Sequence, residues 1–222
     1  MQIEIRELEP KYAALRIADP MRQSRLTASI CESGQQTPVV VVPRDGEGYV
    51  LIDGYGRVAA LESLAQDLVE AMVLPLSESE ALVWCHRVET ARRRSALEEG
   101  WLLQELVEGH GRSQPDLAVA LQRSVSWVSR RLALVRTLSE AVQSRVRDGR
   151  IPAQAAMKFL VPLARAKPQH CRALVEGLGS RRISVRQMET LYLGWRRGDS
   201  EQQARLVESP WLYLKAAEET TA

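Results

Sequence analysis

Every strand-like segment of this 222-residue chain lies before Pro75, and everything after it reads as helix. That segregation limits the fold more than any single motif does. Alternating strands and helices would give a parallel α/β sheet; strands first and helices afterwards give an α+β chain or separate domains. "QIEIREL" (2–8) alternates with period 2 and predicts a first strand. "DPMRQSRLTASICESG" predicts a helix, with Pro20 near its start, Met21, Leu26 and Ile30 at roughly helical spacing, and Gly34 at its end. "TPVVVVP" and "YVLID" flank the turn "RDGEG" and predict a hairpin of Val39–Val42 with Tyr49–Ile52. "RVAALESLAQ" predicts a helix and "VEAMVLP" a last strand.

Beyond Pro75 the spacing is helical almost to the end. Ser77 and Glu80 stand at capping-box spacing, and breaks are expected at Gly109–Gly111, Gly149–Pro152, Lys167–Pro168, Gly177–Gly179 and Gly198. The expected division is a small mixed α/β domain over 1–76, an all-α domain over 77–165 and a C-terminal helical region over 166–222. In that last region Val185, Met188, Leu191 and Trp195 share one helix face.

The charge is divided along the chain as well. Residues 1–80 hold 7 Lys and Arg against 13 Asp and Glu, whereas residues 81–222 hold 23 against 15. The basic part is the one suited to a polyanion. Arg outnumbers Lys 26 to 4, and the guanidinium fork pairs bidentately with phosphate or guanine. Three scattered Cys (31, 85, 171) predict a reducing cytoplasm rather than a disulfide framework. No apolar run approaches the ~20 residues of a membrane span.

"SQPDLAVALQRSVSWVSRRLALV" (113–135) carries the strongest motif. It predicts two short helices and a tight turn, a helix-turn-helix over 114–134. Leu117, Ala118 and Leu121 would face inward on the first helix, and Val125, Val128 and Leu132 on the second. Ser124, Ser126, Trp127, Ser129, Arg130 and Arg131 fall largely off that stripe and are the candidate DNA contacts. Ser124 doubles as an N-cap, and Gln114 could reach a phosphate. Gln122 stands where such turns usually place glycine, so a left-handed residue there carries a backbone cost. An ordinary helical hairpin with a solvated arginine face has the same apolar spacing. Arg92-Arg93-Arg94 could extend a basic surface or be a solvated charge run.

"LIDGYGR" (51–57) predicts a strand that ends in a glycine turn and opens a helix, a ready-made anion site. In order and motifs, residues 1–165 resemble the ParB/RepB partition-protein family. "GQQTPVVVV" keeps Gly34 and Pro38 of its Gly-x-x-Gln-Pro landmark, with Thr37 for Gln. "GYGR" keeps Gly54 and Arg57 of Gly-Glu-Arg-Arg, with Tyr55 and Gly56 between. "ETARR" keeps Glu89 and Arg93 of Glu-Asn-x-x-Arg, with Thr90 for Asn.

The resemblance implies an α+β chain: a ParB/sulfiredoxin-like domain, an all-α helix-turn-helix domain, then C-terminal helices. It implies CTP with Mg²⁺ as cofactor, Gly54, Tyr55, Gly56, Arg57 and Arg93 at the nucleotide, and Glu89 and Thr90 at the metal. It also implies a clamp that loads on a palindromic site in double-stranded DNA, a homodimer, a ParA-like ATPase partner and a place on the nucleoid or a plasmid. The sulfiredoxin branch carries a catalytic Cys in this turn, where the present chain has Tyr55. Two alternatives stay open: a nucleotide-dependent nuclease or NTPase of the same fold, and a regulator or protein-interaction module. Asp45, Glu47 and Asp53 are the carboxylates a nuclease reading would use.

Overall fold

The computed structural model describes residues 1–88 and 94–219. It forms two compact units, Met1–Arg93 and Arg94–Ala222.

The first unit holds β1 (Gln2–Glu4), β2 (Leu8–Glu9), α1 (Pro20–Ser33), β3 (Val39–Pro43), β4 (Tyr49–Asp53), α2 (Tyr55–Ser63), β5 (Leu68–Val73) and α3 (Glu78–Val88). The strands make one sheet in the order β1-β5-β3-β4-β2. β3 and β4 are the expected antiparallel hairpin, with Val41 opposite Leu51 and a bulge between Val40 and Val41.

The segment expected as one strand is instead two, β1 on one sheet edge and β2 on the other, joined by a 3₁₀ turn at Ile5–Glu7. Four residues of extended chain reach at most ~14 Å. Four strand spacings in a flat sheet take ~19 Å. The sheet must therefore curl until its edges approach. One chain segment then supplies both edge strands, which a period-2 pattern cannot foretell.

Leu51 packs with Val39, Val41, Val69 and Ala71 against Ile30 of α1 and Val58 and Leu61 of α2. Val50 and Ile52 point the other way along β4 and are equally buried. α3 packs against β4 with Ala81, Leu82 and Cys85 buried. The helix expected to open the helical domain thus completes the α/β unit. Measured by compactness, the boundary expected at residue 76 falls at Arg93. Asp19 caps α1 by accepting from the Arg22 amide at 3.1 Å, and Met21, expected on the apolar face, is exposed.

The second unit is helical. It contains α4 (Ala96–Glu108), α5 (Gln114–Ala120), α6 (Val125–Thr137), α7 (Glu140–Arg147) and the single turn α8 (Ala153–Ala155). A π-helical turn (Ala156–Leu160) follows, then α9 (Val161–Ala166), α10 (Pro168–Leu178), α11 (Val185–Arg197), α12 (Ser200–Glu208) and α13 (Pro210–Glu219). The π turn precedes Pro162, which has no N–H to give; the chain instead closes from the Val161 amide to the Ala156 carbonyl. One apolar cluster runs from Leu97 through Leu134, Leu160 and Met188 to Leu214. The region from residue 166 onward therefore shares a core with the helices before it. Burial pushes the Cys171 thiol up to about 11 within that core.

Candidate nucleic-acid interface

α5 begins at Ser113, whose Oγ accepts from the Asp116 amide at 3.2 Å. It ends in a Schellman motif: the Gln122 amide donates to the Val119 carbonyl at 3.1 Å, and the Arg123 amide to that of Ala118 at 2.8 Å. That closure needs a left-handed residue, and Gln122 has φ +54°. The cost of about 1–2 kcal/mol expected from the sequence is therefore carried. Ser124 then caps α6, its Oγ accepting from the Trp127 amide at 3.1 Å. Two caps and one strained residue fix where α6 leaves the turn.

Leu117, Ala118, Leu121, Val128 and Leu132 are buried as expected. Val125 is not: it is 48% exposed in the first turn of α6. Ser124, Ser126, Ser129 and Arg130 are exposed around it. Arg130 has no carboxylate within ion-pair distance among the described residues. Gln114 is half-buried at the first position of α5.

Arg131 departs from the expectation. Its Nε donates to Glu99 Oε2 of α4 at 2.5 Å, and its Nη1 lies 3.0 Å from Met157 Sδ in the π turn. The side chain is 18% exposed and braces α6 from behind. Trp127 is half-buried between two guanidiniums, Arg123 at 5.5 Å and Arg131 at 5.2 Å from its ring. The face open to a ligand is thus Arg123, Ser124, Val125, Ser126, Ser129 and Arg130, with Trp127 at its border.

Three supports of α6 escaped the sequence reading. Gly100 of α4 lies where an added Cβ would come within 2.8 Å of the Arg131 carbonyl and 2.7 Å of Val135 Cγ1, so only glycine permits this approach. Gln143 of α7 is buried; its Nε2 donates to the carbonyls of Val135 at 3.0 Å and Leu138 at 2.8 Å. Its Oε1 accepts from Trp101 Nε1 at 3.0 Å. Arg123 was the third, and its spacing of four from Trp127, with Arg131 four further on, is the signal that could have found it.

In the other unit, Gly54 has φ +106°, and an added Cβ would lie 2.5 Å from Val39 Cγ1. Only glycine lets this turn press against β3. Tyr55 folds back, its hydroxyl donating to the Leu51 carbonyl at 2.6 Å. Gly56 is filled from α1: Gln23 Nε2 donates to its carbonyl at 2.9 Å, and an added Cβ would meet Gln23 and Leu26.

Arg57 donates through Nη1 to Thr37 Oγ1 at 2.6 Å and the Pro38 carbonyl at 3.0 Å, and through Nη2 to Asp53 Oδ2 at 3.1 Å. Arg16 holds the other Asp53 oxygen at 2.8 Å. The side chains of this turn do not fit a triphosphate unless Arg57 first releases Thr37 and Asp53. Gly54, Tyr55 and Gly56 serve packing and the backbone here. Glu89, Thr90, Arg92 and Arg93 lie outside the described residues. Among the described residues no three His, Cys, Asp or Glu side chains gather as a metal site. Asp53 is bound to two arginines, while Asp45 and Glu47 sit on the exposed hairpin turn.

A curled α/β unit with a glycine turn between strand and helix, followed by a helical unit carrying a helix-turn-helix, defines a class of two-part DNA-associated proteins. Residues 1–86 match the ParB N-terminal domain and residues 93–196 the ParB HTH domain. This chain belongs to the ParB family.

A nucleoid occlusion protein of Halalkalibacterium halodurans is 30% identical over 162 residues, covering 72% of this chain and 56% of that protein. One from Bacillus pumilus is 30% identical over 167 residues, covering 74% and 56%. The chain thus spans little more than half the length of these relatives. The solved pNOB8-like ParB N-domain superposes with a TM-score of 0.59 at 15% identity, covering 100% of this chain and 95% of that one, which supports the fold. No helix among the described residues is long and apolar enough to cross a membrane.

Proposed function

We propose that this protein binds a palindromic site in double-stranded DNA as a homodimer, α6 lying in the major groove, in partition or a related nucleoid- or plasmid-associated role. The observation that carries the reading is the N-terminal face of α6: three exposed serines and the exposed Arg130, beside a turn fixed by the Schellman closure of α5 and the Ser124 cap of α6. Ser124 is committed to capping and would meet phosphate; Ser126, Ser129 and Arg130 would meet base edges. Arg131 acts through position alone. Selection of bound duplexes from a random pool tests the reading. A palindrome is expected, with specific binding lost in Arg130→Ala; recovery of no enriched sequence refutes it.

A CTP- and Mg²⁺-dependent clamp is the second reading, favoured by Gly54 and Arg57 standing in register with the family's turn. A ParA-like ATPase partner belongs to the same reading. Calorimetry of CTP with Mg²⁺, with and without the selected duplex, tests it. Absence of heat in both mixtures would leave the α/β unit a scaffold.

A further inference from the structure

Two loops of the helical unit are built alike. Asp148–Pro152 joins α7 to α8 and Gly179–Ser184 joins α10 to α11. Each carries a left-handed glycine near its start, Gly149 with φ +68° and Gly179 with φ +61°. Each then runs through arginine to a buried isoleucine, Ile151 or Ile183, that plugs the core. The Ile183 amide donates to the Arg150 carbonyl at 3.0 Å, which ties the loops side by side.

With the isoleucines turned inward, the arginines are left outside. Arg181, Arg182 and Arg186 are exposed and Arg150 is half-buried. None of the four has a carboxylate within ion-pair distance among the described residues. Elsewhere in this unit, Arg131, Arg136, Arg147 and Arg205 each have one, whereas some other arginines of the described residues, Arg130 among them, do not. Arg181 is also held in place. Its guanidinium stacks 3.9 Å from the Trp211 ring centre, and Trp211 Nε1 donates to the Leu178 carbonyl at 3.1 Å. A guanidinium held over a ring by its face keeps its N–H edges for other partners, and such a fork can pair bidentately with phosphate.

We propose that this loop pair is a second DNA-binding surface, holding the phosphodiester backbone of duplex DNA without regard to sequence. It deepens the DNA-binding reading and rests on it. α6 would choose the site, and Arg150, Arg181, Arg182 and Arg186 would add affinity equally for any duplex.

Fluorescence anisotropy of the full chain, with the selected duplex and with a random duplex of equal length across a salt series, separates the two surfaces. Replacing Arg181, Arg182 and Arg186 together by Ala should weaken both duplexes by the same factor, roughly tenfold or more. The slope of log K against log [salt] should fall by about 0.9 for each phosphate that the variant no longer neutralises. Arg182→Glu, a single change on an exposed loop, should act in the same direction, with an unchanged melting curve as the control on folding. Arg181→Lys should bind less tightly than wild type but more tightly than Arg181→Ala, because it keeps the charge and gives up the stacked fork.

Arg130→Ala should instead abolish the difference between the duplexes and leave random binding nearly intact. Unchanged slope and affinity in the triple variant, with wild-type protein binding normally, would overturn the second surface alone. Wild-type protein that binds neither duplex would overturn both readings.

Discussion

Gln143 offers a test of how α6 is held. Its amide answers three polar groups: the buried carbonyls of Val135 and Leu138 at the end of α6, and the indole N–H of half-buried Trp101 on α4. A buried group deprived of its partner costs about 1–3 kcal/mol. Gln143→Leu keeps much of the volume, excludes water and strands all three. Partial relaxation brings the expected loss to about 3–5 kcal/mol. Gln143→Ala is the informative companion, because the space it opens beside polar groups can admit water, and a loss nearer ~2–3 kcal/mol is expected.

Urea unfolding followed by tryptophan emission is the assay. Trp101, Trp127, Trp195 and Trp211 lie in the helical unit and only Trp84 in the other, so the signal reports mainly on the right part. With a urea slope of ~1–3 kcal/mol per molar, the Gln143→Leu midpoint should fall by ~1–5 M. A Gln143→Leu protein within ~0.5 kcal/mol of wild type would refute the reasoning, and so would an Ala variant weaker than the Leu variant.

Other expectations are sharp enough to fail. Arg130→Ala should leave stability within about 0.5 kcal/mol of wild type and abolish specific DNA binding. Arg131→Ala should lose about 1–3 kcal/mol by stranding Glu99, with urea unfolding as the check. Gln122→Gly should raise stability by about 0.5–1 kcal/mol, the left-handed strain relieved less the entropy glycine adds to the unfolded chain. A lower unfolding midpoint would deny that strain.

Cys171 sets an alkaline limit. Its thiol ionises at about 11 in the fold against 9.0 unfolded. The native state therefore favours the protonated form, and the contribution is full below the unfolded value and lost as pH rises through the folded one. Stability curves for wild type and Cys171→Ala should converge across that window; parallel curves would refute the assignment.

The elements of the fold were largely legible in the sequence because their caps and breakers are local. Pro20, Ser124 and the glycines at 34 and 149 act within a turn of where they stand. Three features were not legible, for a shared reason. The split of residues 2–9 between opposite edges depends on sheet curl, the place of α3 depends on which sheet face lacks cover, and the duty of Arg131 depends on Glu99, far back along the chain. In the site, spacing separated apolar from polar positions on α6 but not a reading arginine from a bracing one. Arg130 and Arg131 are neighbours in sequence and point about 100° apart around the helix. Val125 failed for a simpler reason: helical spacing puts it one turn before Val128, but the core ends before that turn begins.

The curled sheet also bears on how copies of this protein can assemble. A sheet edge recruits another chain in proportion to the length of backbone it leaves unpaired. Here one edge is three residues long and the other two, and both come from a single stretch that the curl draws round the sheet. Both are short for templating a strand from a second molecule. Were copies to associate through this unit, side chains on its helices and loops offer contacts that can form and break without touching the β-ladder.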